Sequence, residues 1–280
     1  MPWLVRYTAP SVDGAPAPSN LLDRHGALLS AIWDLGTSGI AEAGPSLLAG
    51  FDRLESARSA HRLAAPHGLV AAVEPVDDGW IRHEQVEVEV VTAVGIRSFP
   101  IVAAAAFGHG GHPTTRLCLD LMSRVYGATG SPTAPGAACR RVLDLGTGSG
   151  VLAIAAHHLG ATAITACDVD PAAVDAARFN TTANGLDIEL IHGDVAEVAG
   201  RVDRTGARFD LIVANVLLVV HEQVAATVGP LLTSDGVLVL AGFLTDQADR
   251  VVSAYRGARP ALDVMERADV DGWCGMTLAG

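Results

Sequence analysis

Apolar and polar positions follow two different rhythms along this chain. Over the first 76 residues short apolar runs separated by turns predict strand Trp3–Thr8, a helix over about Leu21–Leu35, strands Gly39–Ala43 and Leu47–Phe51, helix Arg53–Leu63 and strand Gly68–Glu74. The order βαββαβ suits a small ferredoxin-like layer of helices on an antiparallel sheet. Gly44-Pro45-Ser46 supplies turn chemistry between the middle strands. From residue 107 onward, apolar strands alternate with helices: helix 113–126, strand 142–145, a helix from Val151, strands Ala163–Cys167, Ile188–Ile191 and Phe209–Asn215, helix Leu217–Leu232, strand Val237–Ala241 and helix Asp246–Tyr255. Such alternation builds a mostly parallel sheet covered by helices. Strands Ala261–Arg267 and Trp273–Leu278, separated by the polar turn Ala268–Gly272, then form a closing hairpin.

Individual elements carry their own signals. Pro113 fits the first helical turn, where no N–H is needed, and Cys118, Leu121, Met122 and Val125 repeat at i, i+3, i+4 and i+7 to give one apolar, core-facing stripe. Residues 77–106 read as a linker containing a strand at Val86–Val91, and Ala128–Ala138 as a loop leading into the strand at 142. The expected organisation is a ferredoxin-like domain over 1–76, the linker over 77–106 and an α/β domain over 107–280.

At 280 residues and 50% hydrophobic content the chain can bury a sizeable core. Its net charge is −12, and all 19 basic residues are arginine. The acid excess is spread over both parts, so neither offers the basic face of a nucleic-acid or anionic-membrane binder, and a basic partner is the easier one to accommodate. Cys118, Cys139, Cys167 and Cys274 are far apart, without the spacing of a zinc site or a redox dithiol, and are expected to be reduced and buried. The N-terminus has no signal-peptide pattern and no apolar run reaches the ~20 residues that span a bilayer. A cytoplasmic location is expected.

Candidate chemistry begins at residues 142–150, Val-Leu-Asp-Leu-Gly-Thr-Gly-Ser-Gly, where a strand runs into three alternate glycines and then a helix. Gly146, Gly148 and Gly150 allow a tight turn and close approach of a ligand to the backbone. Asp168, at the end of the next strand, stands where an acid can accept both ribose hydroxyls of a nucleoside. In dinucleotide enzymes the third glycine falls one residue later, as G-x-G-x-x-G; the G-x-G-x-G spacing here is that of S-adenosylmethionine enzymes. Asp194, after the third strand, is placed to accept from an adenine amino group, and Asn215 ends the fourth strand, at the edge where open α/β sheets bind ligands.

Residues 107–115, Phe-Gly-His-Gly-Gly-His-Pro-Thr-Thr, resemble Phe-Gly-Thr-Gly-Thr-His-Pro-Thr-Thr of the bacterial methyltransferases that modify large-subunit ribosomal protein eleven. Leu143–Gly150, Asp168–Pro171, Ala214–Leu217 and Trp273-Cys274 are similar to that family too. The resemblance implies a class I, Rossmann-like methyltransferase domain with seven strands, S-adenosylmethionine as cofactor, and transfer of methyl groups to amines of a ribosomal protein recognised by the N-terminal module. It also implies that Thr115, Gly146, Asp168 and Asn215 hold the cofactor. The chain departs from the family at His109 and Gly111, and in Val216–Glu222, where the family has Ile-Leu-Ala and a nearby proline. Residues 77–106 are shorter than usual, with Trp80 as their one tryptophan.

Each candidate has a structural alternative. Asp170, just before Pro171, is assigned to capping the following helix and Asp168 to ribose. Asp144 either contacts ligand or ties down loop amides. Asn215 is assigned nearest the transferred methyl, because a neutral amide carbonyl can accept from an amine without favouring its protonation; the alternative is a helix cap. Thr115 is a cofactor contact or a plain first-turn residue. His112 is expected to orient its loop; His109 and His221 would take a proton only if they face the cleft, and a metal cluster is not expected. The leading reading is a protein N-methyltransferase. A methyltransferase of the same fold acting on a small molecule or another protein, or a cofactor-binding protein without catalysis, stays open, as do the methylated atom and the oligomeric state.

Overall fold

The computed structural model describes residues 3–10, 21, 25, 28–29, 31–32, 35–37, 39–43, 46–51, 53–76, 84–103, 111–127 and 140–280. The chain divides into two compact units, residues 1–83 with 104–107, and residues 84–103 with 108–280.

In the first unit, β1 (Trp3–Thr8), β2 (Gly39–Ala43), β3 (Ser46–Phe51) and β4 (Val70–Pro75) form an antiparallel sheet in the order β2-β3-β1-β4. That order, with helical residues described between β1 and β2 and a helix between β3 and β4, is the ferredoxin-like arrangement the sequence pattern predicts. One sheet face is buried: Val5, Tyr7, Leu47, Ala49 and Phe51 pack with Ala57 and Ala60 of α1 (Leu54–Arg62) and with Leu21, Leu28 and Ile32, all helical. The turn residues Gly44 and Pro45 lie outside the described residues.

The second unit is a seven-stranded sheet in the order β12-β13-β11-β10-β7-β8-β9. Its strands are β7 (Arg141–Leu145), β8 (Ala163–Asp168), β9 (Glu189–His192), β10 (Phe209–Asn215), β11 (Leu232–Leu244), β12 (Asp263–Val270) and β13 (Trp273–Ala279). β7 to β11 pair parallel to one another, and β13 joins antiparallel to both β11 and β12. Residue alternation sends Val142, Ala166, Leu211, Val213, Val237 and Val239 to one face, against α2 (Pro113–Val125) and α3 (Val151–Leu159). Leu143, Leu145, Cys167, Ile212, Ala214, Leu238 and Leu240 go to the other, against α5 (Val195–Thr205), α6 (Leu218–Leu231) and α7 (Ala248–Ala258). α4 (Pro171–Ala183) links β8 to β9. Strand order reverses between β7 and β10, and the crevice at the carboxyl ends of these strands is where a doubly wound sheet takes its ligand.

Three expectations are corrected. Residues 84–103 are not linker: β5 (Glu84–Thr92) and β6 (Gly95–Ala103) make a hairpin whose Val88, Val90, Phe99 and Ile101 are buried in the core of the second unit. The alternation with Glu87 and Glu89 marks a two-faced strand, but its packing partner is distant in sequence. β11 begins at Leu232, pairing with Phe209 before a register shift, five residues ahead of the strand expected at Val237–Ala241. The last turn shrinks to Asp271-Gly272, with Asp271 at φ 52°, as a two-residue hairpin turn requires. Among the described residues no helix is long and apolar enough to cross a membrane.

Candidate functional site

The loop after β7 is folded by its own backbone and by two acids. The N–H groups of Gly146 and Thr147 both donate to Cys167 O on β8, at 2.9 and 3.0 Å. Gly146 has φ 72°, and a Cβ there would stand 2.6 Å from Val216 Cγ1, so only glycine fits where β7 passes the start of the segment after β10. Asp144, fully buried in β7, accepts on Oδ2 from Thr147 Oγ1 (2.7 Å) and from Ala153 N of α3 (3.1 Å). It therefore organises the loop through a hydroxyl and a helix amide. Its Oδ1 has no hydrogen-bond partner, and burial pushes its pKa up to about 7 despite the two bonds that favour ionisation.

Asp168 ends β8 and faces the loop from the other side. Its Oδ2 accepts from Gly148 N and its Oδ1 from Asp170 N, both at 3.0 Å. Burial holds its pKa above the usual carboxylate value, opposed by these backbone N–H groups. Asp170 accepts from Ala172 N at 2.9 Å and caps α4, as its place before Pro171 predicts. Asp194 uses Oδ1 in the same way at the start of α5, accepting from Ala196 N at 2.8 Å and Glu197 N at 3.4 Å. The carboxylate expected to meet an adenine is thus also a helix cap.

Across the crevice Asn215, the last residue of β10, points Nδ2 at Thr115 Oγ1, 3.5 Å away. Thr115 is completely buried in the first turn of α2. The two residues are 100 positions apart in sequence and the fold brings them together. Asn215 does not cap α6, whose cap position is Leu217, and its Oδ1 is buried without a hydrogen-bond partner. An unsatisfied buried carbonyl costs roughly 1–3 kcal/mol, so its presence at a strand end beside the glycine loop points to a ligand.

The histidines separate clearly. His112 caps α2, with Thr114 N donating to Nδ1 at 3.3 Å, and its ring meets the edge of Trp273 at a centroid distance of 5.2 Å. His221 is a core residue: Nε2 donates to Ala241 O at 3.0 Å, Nδ1 accepts from the Tyr255 hydroxyl at 3.1 Å, and burial lowers its pKa to about 4. Both ring nitrogens are engaged, so it cannot take a proton from a substrate. His109 and Cys139 lie outside the described residues. Cys118, Cys167 and Cys274 are buried free thiols, and among the described residues no three His, Cys, Asp or Glu side chains converge as metal ligands. Sequence reasoning missed Asn180 of α4, whose amide donates to Ser149 O inside the glycine loop. Two asparagines four residues apart on a helix face otherwise lined by alanine were its one signal.

Comparison with known proteins agrees with this geometry. The family model described as ribosomal protein L11 methyltransferase (PrmA) matches residues 94–279. A ribosomal protein L11 methyltransferase of Syntrophotalea carbinolica is 40% identical over 152 residues, 54% of this chain and 46% of its own length. One from Symbiobacterium thermophilum is 38% identical over 168 residues, 60% of this chain and 49% of its own. The crystal structure of a ribosomal protein L11 methylase from Lactobacillus delbrueckii subsp. bulgaricus aligns with a TM-score of 0.50 at 30% identity, over 62% of this chain and 80% of that one. The chain spans about half the length of the curated relatives it matches. With a family model covering well over half of its residues, including the glycine loop, Asp168, Thr115 and Asn215, the chain belongs to the ribosomal protein L11 methyltransferase family.

Proposed function

We propose that this chain is an S-adenosylmethionine-dependent N-methyltransferase that methylates amino groups of a basic, large-subunit ribosomal protein in the cytoplasm. The observation that carries the reading is the bare, buried Oδ1 of Asn215, held beside Thr115 at the same end of the sheet as the glycine loop and Asp168. The donor set fits the cofactor. Gly146, Gly148 and Gly150 leave backbone open to a nucleoside, Asp168 accepts from ribose hydroxyls, and Asp194 accepts from the adenine amino group through the oxygen its cap does not use. Thr115 and the N-terminal turn of α2 favour the methionine carboxylate.

When bound, S-adenosylmethionine supplies a methyl group already activated on a sulfonium, so the residues of this chain need only align and desolvate the acceptor. Asn215 Oδ1 accepts an N–H of the incoming amine and so aims its lone pair. Being neutral, the amide does not favour the ammonium form, which has no lone pair to attack. The net charge of −12 suits a basic acceptor protein, and the ferredoxin-like unit is assigned to recognise it. The test is incubation with labelled S-adenosylmethionine and ribosomal protein from a methylation-deficient strain. Label on a lysine or the N-terminal amine is expected; label on small amines only, or cofactor binding with no transfer, would reject a protein acceptor.

A further inference from the structure

Asn180 of α4 and Asn184, the residue that caps its C-terminus, stand one turn apart, and both reach β6. Asn184 donates from Nδ2 to Pro100 O at 2.9 Å. Asn180, 1% exposed, makes three bonds: Oδ1 accepts Val102 N–H at 2.9 Å, and Nδ2 donates to Val102 O at 3.3 Å and to Ser149 O at 2.9 Å. The first two are the pair a neighbouring strand would make with Val102. The third enters the glycine loop.

The third glycine makes this reach possible. A Cβ on Gly150 would stand 3.2 Å from Ala177 Cα, and Ala177 lies one turn before Asn180 on α4. Without that Cβ the helix approaches the loop closely. The peptide joining Ser149 to Gly150 is then held at both ends, its N–H donating to Thr147 O at 2.9 Å and its carbonyl accepting from Asn180. A peptide flip is the easiest rearrangement of a glycine-rich turn, and this pinning removes it before any ligand arrives.

We propose that Asn180 is a positioning residue of the cofactor site: it locks the Ser149–Gly150 peptide in its binding orientation and joins the order of that loop to the order of the β5–β6 hairpin. The inference rests on the reading that the loop holds S-adenosylmethionine. A locked loop has already lost the freedom that binding would otherwise have to remove. By thermodynamic reciprocity, cofactor in the loop must in turn steady Val102.

Asn180→Ala and Asn184→Ala, each in the full chain, are compared by calorimetric titration with S-adenosylmethionine. Both variants release a bond to β6, whereas only the first frees the Ser149 carbonyl. Asn180→Ala is expected to weaken binding roughly tenfold, the scale of one buried hydrogen bond, and Asn184→Ala by less than about twofold. Equal losses in the two, or no loss in either, overturn the proposal. A second measurement needs only the unaltered protein: saturating S-adenosylmethionine should slow amide exchange at Val102 as well as at Gly150. Slowing at Gly150 with Val102 unchanged overturns the coupling. Failure of the unaltered protein to bind S-adenosylmethionine refutes the reading of the whole site, an outcome distinct from normal binding by Asn180→Ala.

Discussion

Asp144 gives a test of how the loop is built that reads out without any ligand. Its carboxyl group is fully buried, accepts two bonds on Oδ2 and none on Oδ1, and burial raises its pKa from 3.8 to about 7. A folded-state pKa above the unfolded value means that the folded chain holds the proton more tightly. The stability this contributes is fully present below about pH 4 and is lost as pH rises through about 7. A rise of about three pH units at about 1.4 kcal/mol each amounts to about 4 kcal/mol over that window, an upper figure. His221 acts in the opposite sense: burial lowers its pKa from 6.5 to about 4, so its contribution is lost as pH falls through that range. The two slopes oppose one another, and the unaltered protein's pH profile conceals both. Asp144→Asn removes one of them while keeping a carbonyl to accept from Thr147 and Ala153. Urea unfolding of both proteins across about pH 4.5 to 8 should show the variant gaining on the parent by about 2–4 kcal/mol as pH rises. Parallel profiles would refute the assignment, because they would mean that Asp144 is ionised in the folded chain throughout.

Asp168→Ala is expected to weaken S-adenosylmethionine binding by ~1.5–3 kcal/mol, the scale of hydrogen bonds to a charged group, with the fold intact; calorimetric titration measures it, and unchanged affinity would misplace the ribose site. Asn215→Ala should lower turnover roughly 100-fold, far more than it weakens S-adenosylmethionine, since it loses acceptor alignment as well as a cofactor contact; equal losses in turnover and in cofactor affinity would contradict its assignment to the amine. A chain beginning at residue 77 should keep cofactor binding and lose methylation of a ribosomal substrate, whereas one beginning at residue 104 should fail to fold, since it discards Val88, Val90, Phe99 and Ile101 at about 1.5–3 kcal/mol each; thermal unfolding and titration distinguish these outcomes. His221→Ala should lower stability by about 2–4 kcal/mol by opening a cavity and stranding Tyr255 Oη and Ala241 O, and a normal pH–rate profile in the variant would confirm that it takes no proton from substrate.

The parts of the fold legible in the sequence are those specified locally. Leu211–Ala214 of β10 and Val237–Ala241 of β11 are continuous apolar runs because both of their faces are covered, and each strand is followed or preceded by a helix signal, so the α/β alternation follows directly. The βαββαβ order of elements in the first unit is legible too, from short apolar runs separated by turns, although only one face of its sheet is buried. The β5–β6 hairpin is not. Val86, Val88 and Val90 announce a strand, but nothing near them in sequence says that the face they share with Phe99 and Ile101 belongs with α2 and α3. Strand order, likewise, is a property of contacts between distant segments, and the family resemblance implies seven strands without their order.

The same division runs through the site. Asp168 and Asp170 can be told apart from sequence, because a cap must immediately precede the first helical turn and Pro171 marks that turn. By the same rule Asp194 before Val195-Ala196-Glu197 is a cap, and the ligand role given to it rests on the strand end it shares with that duty. Thr115 and Asn215 meet only through the packing of α2 onto β11 and β13 beside β10, so no local pattern could pair them; the resemblance did. Asn180 shows why such residues escape. Its partners, Val102 and Ser149, lie 78 and 31 positions away and are backbone groups, which carry no side-chain identity for a motif to record. What sequence does preserve is the pair of small residues, Gly150 and Ala177, that lets helix and loop approach. A glycine explained only by the ligand it admits on one face can also be required by the helix it admits on the other, and here the third glycine serves the helix as well.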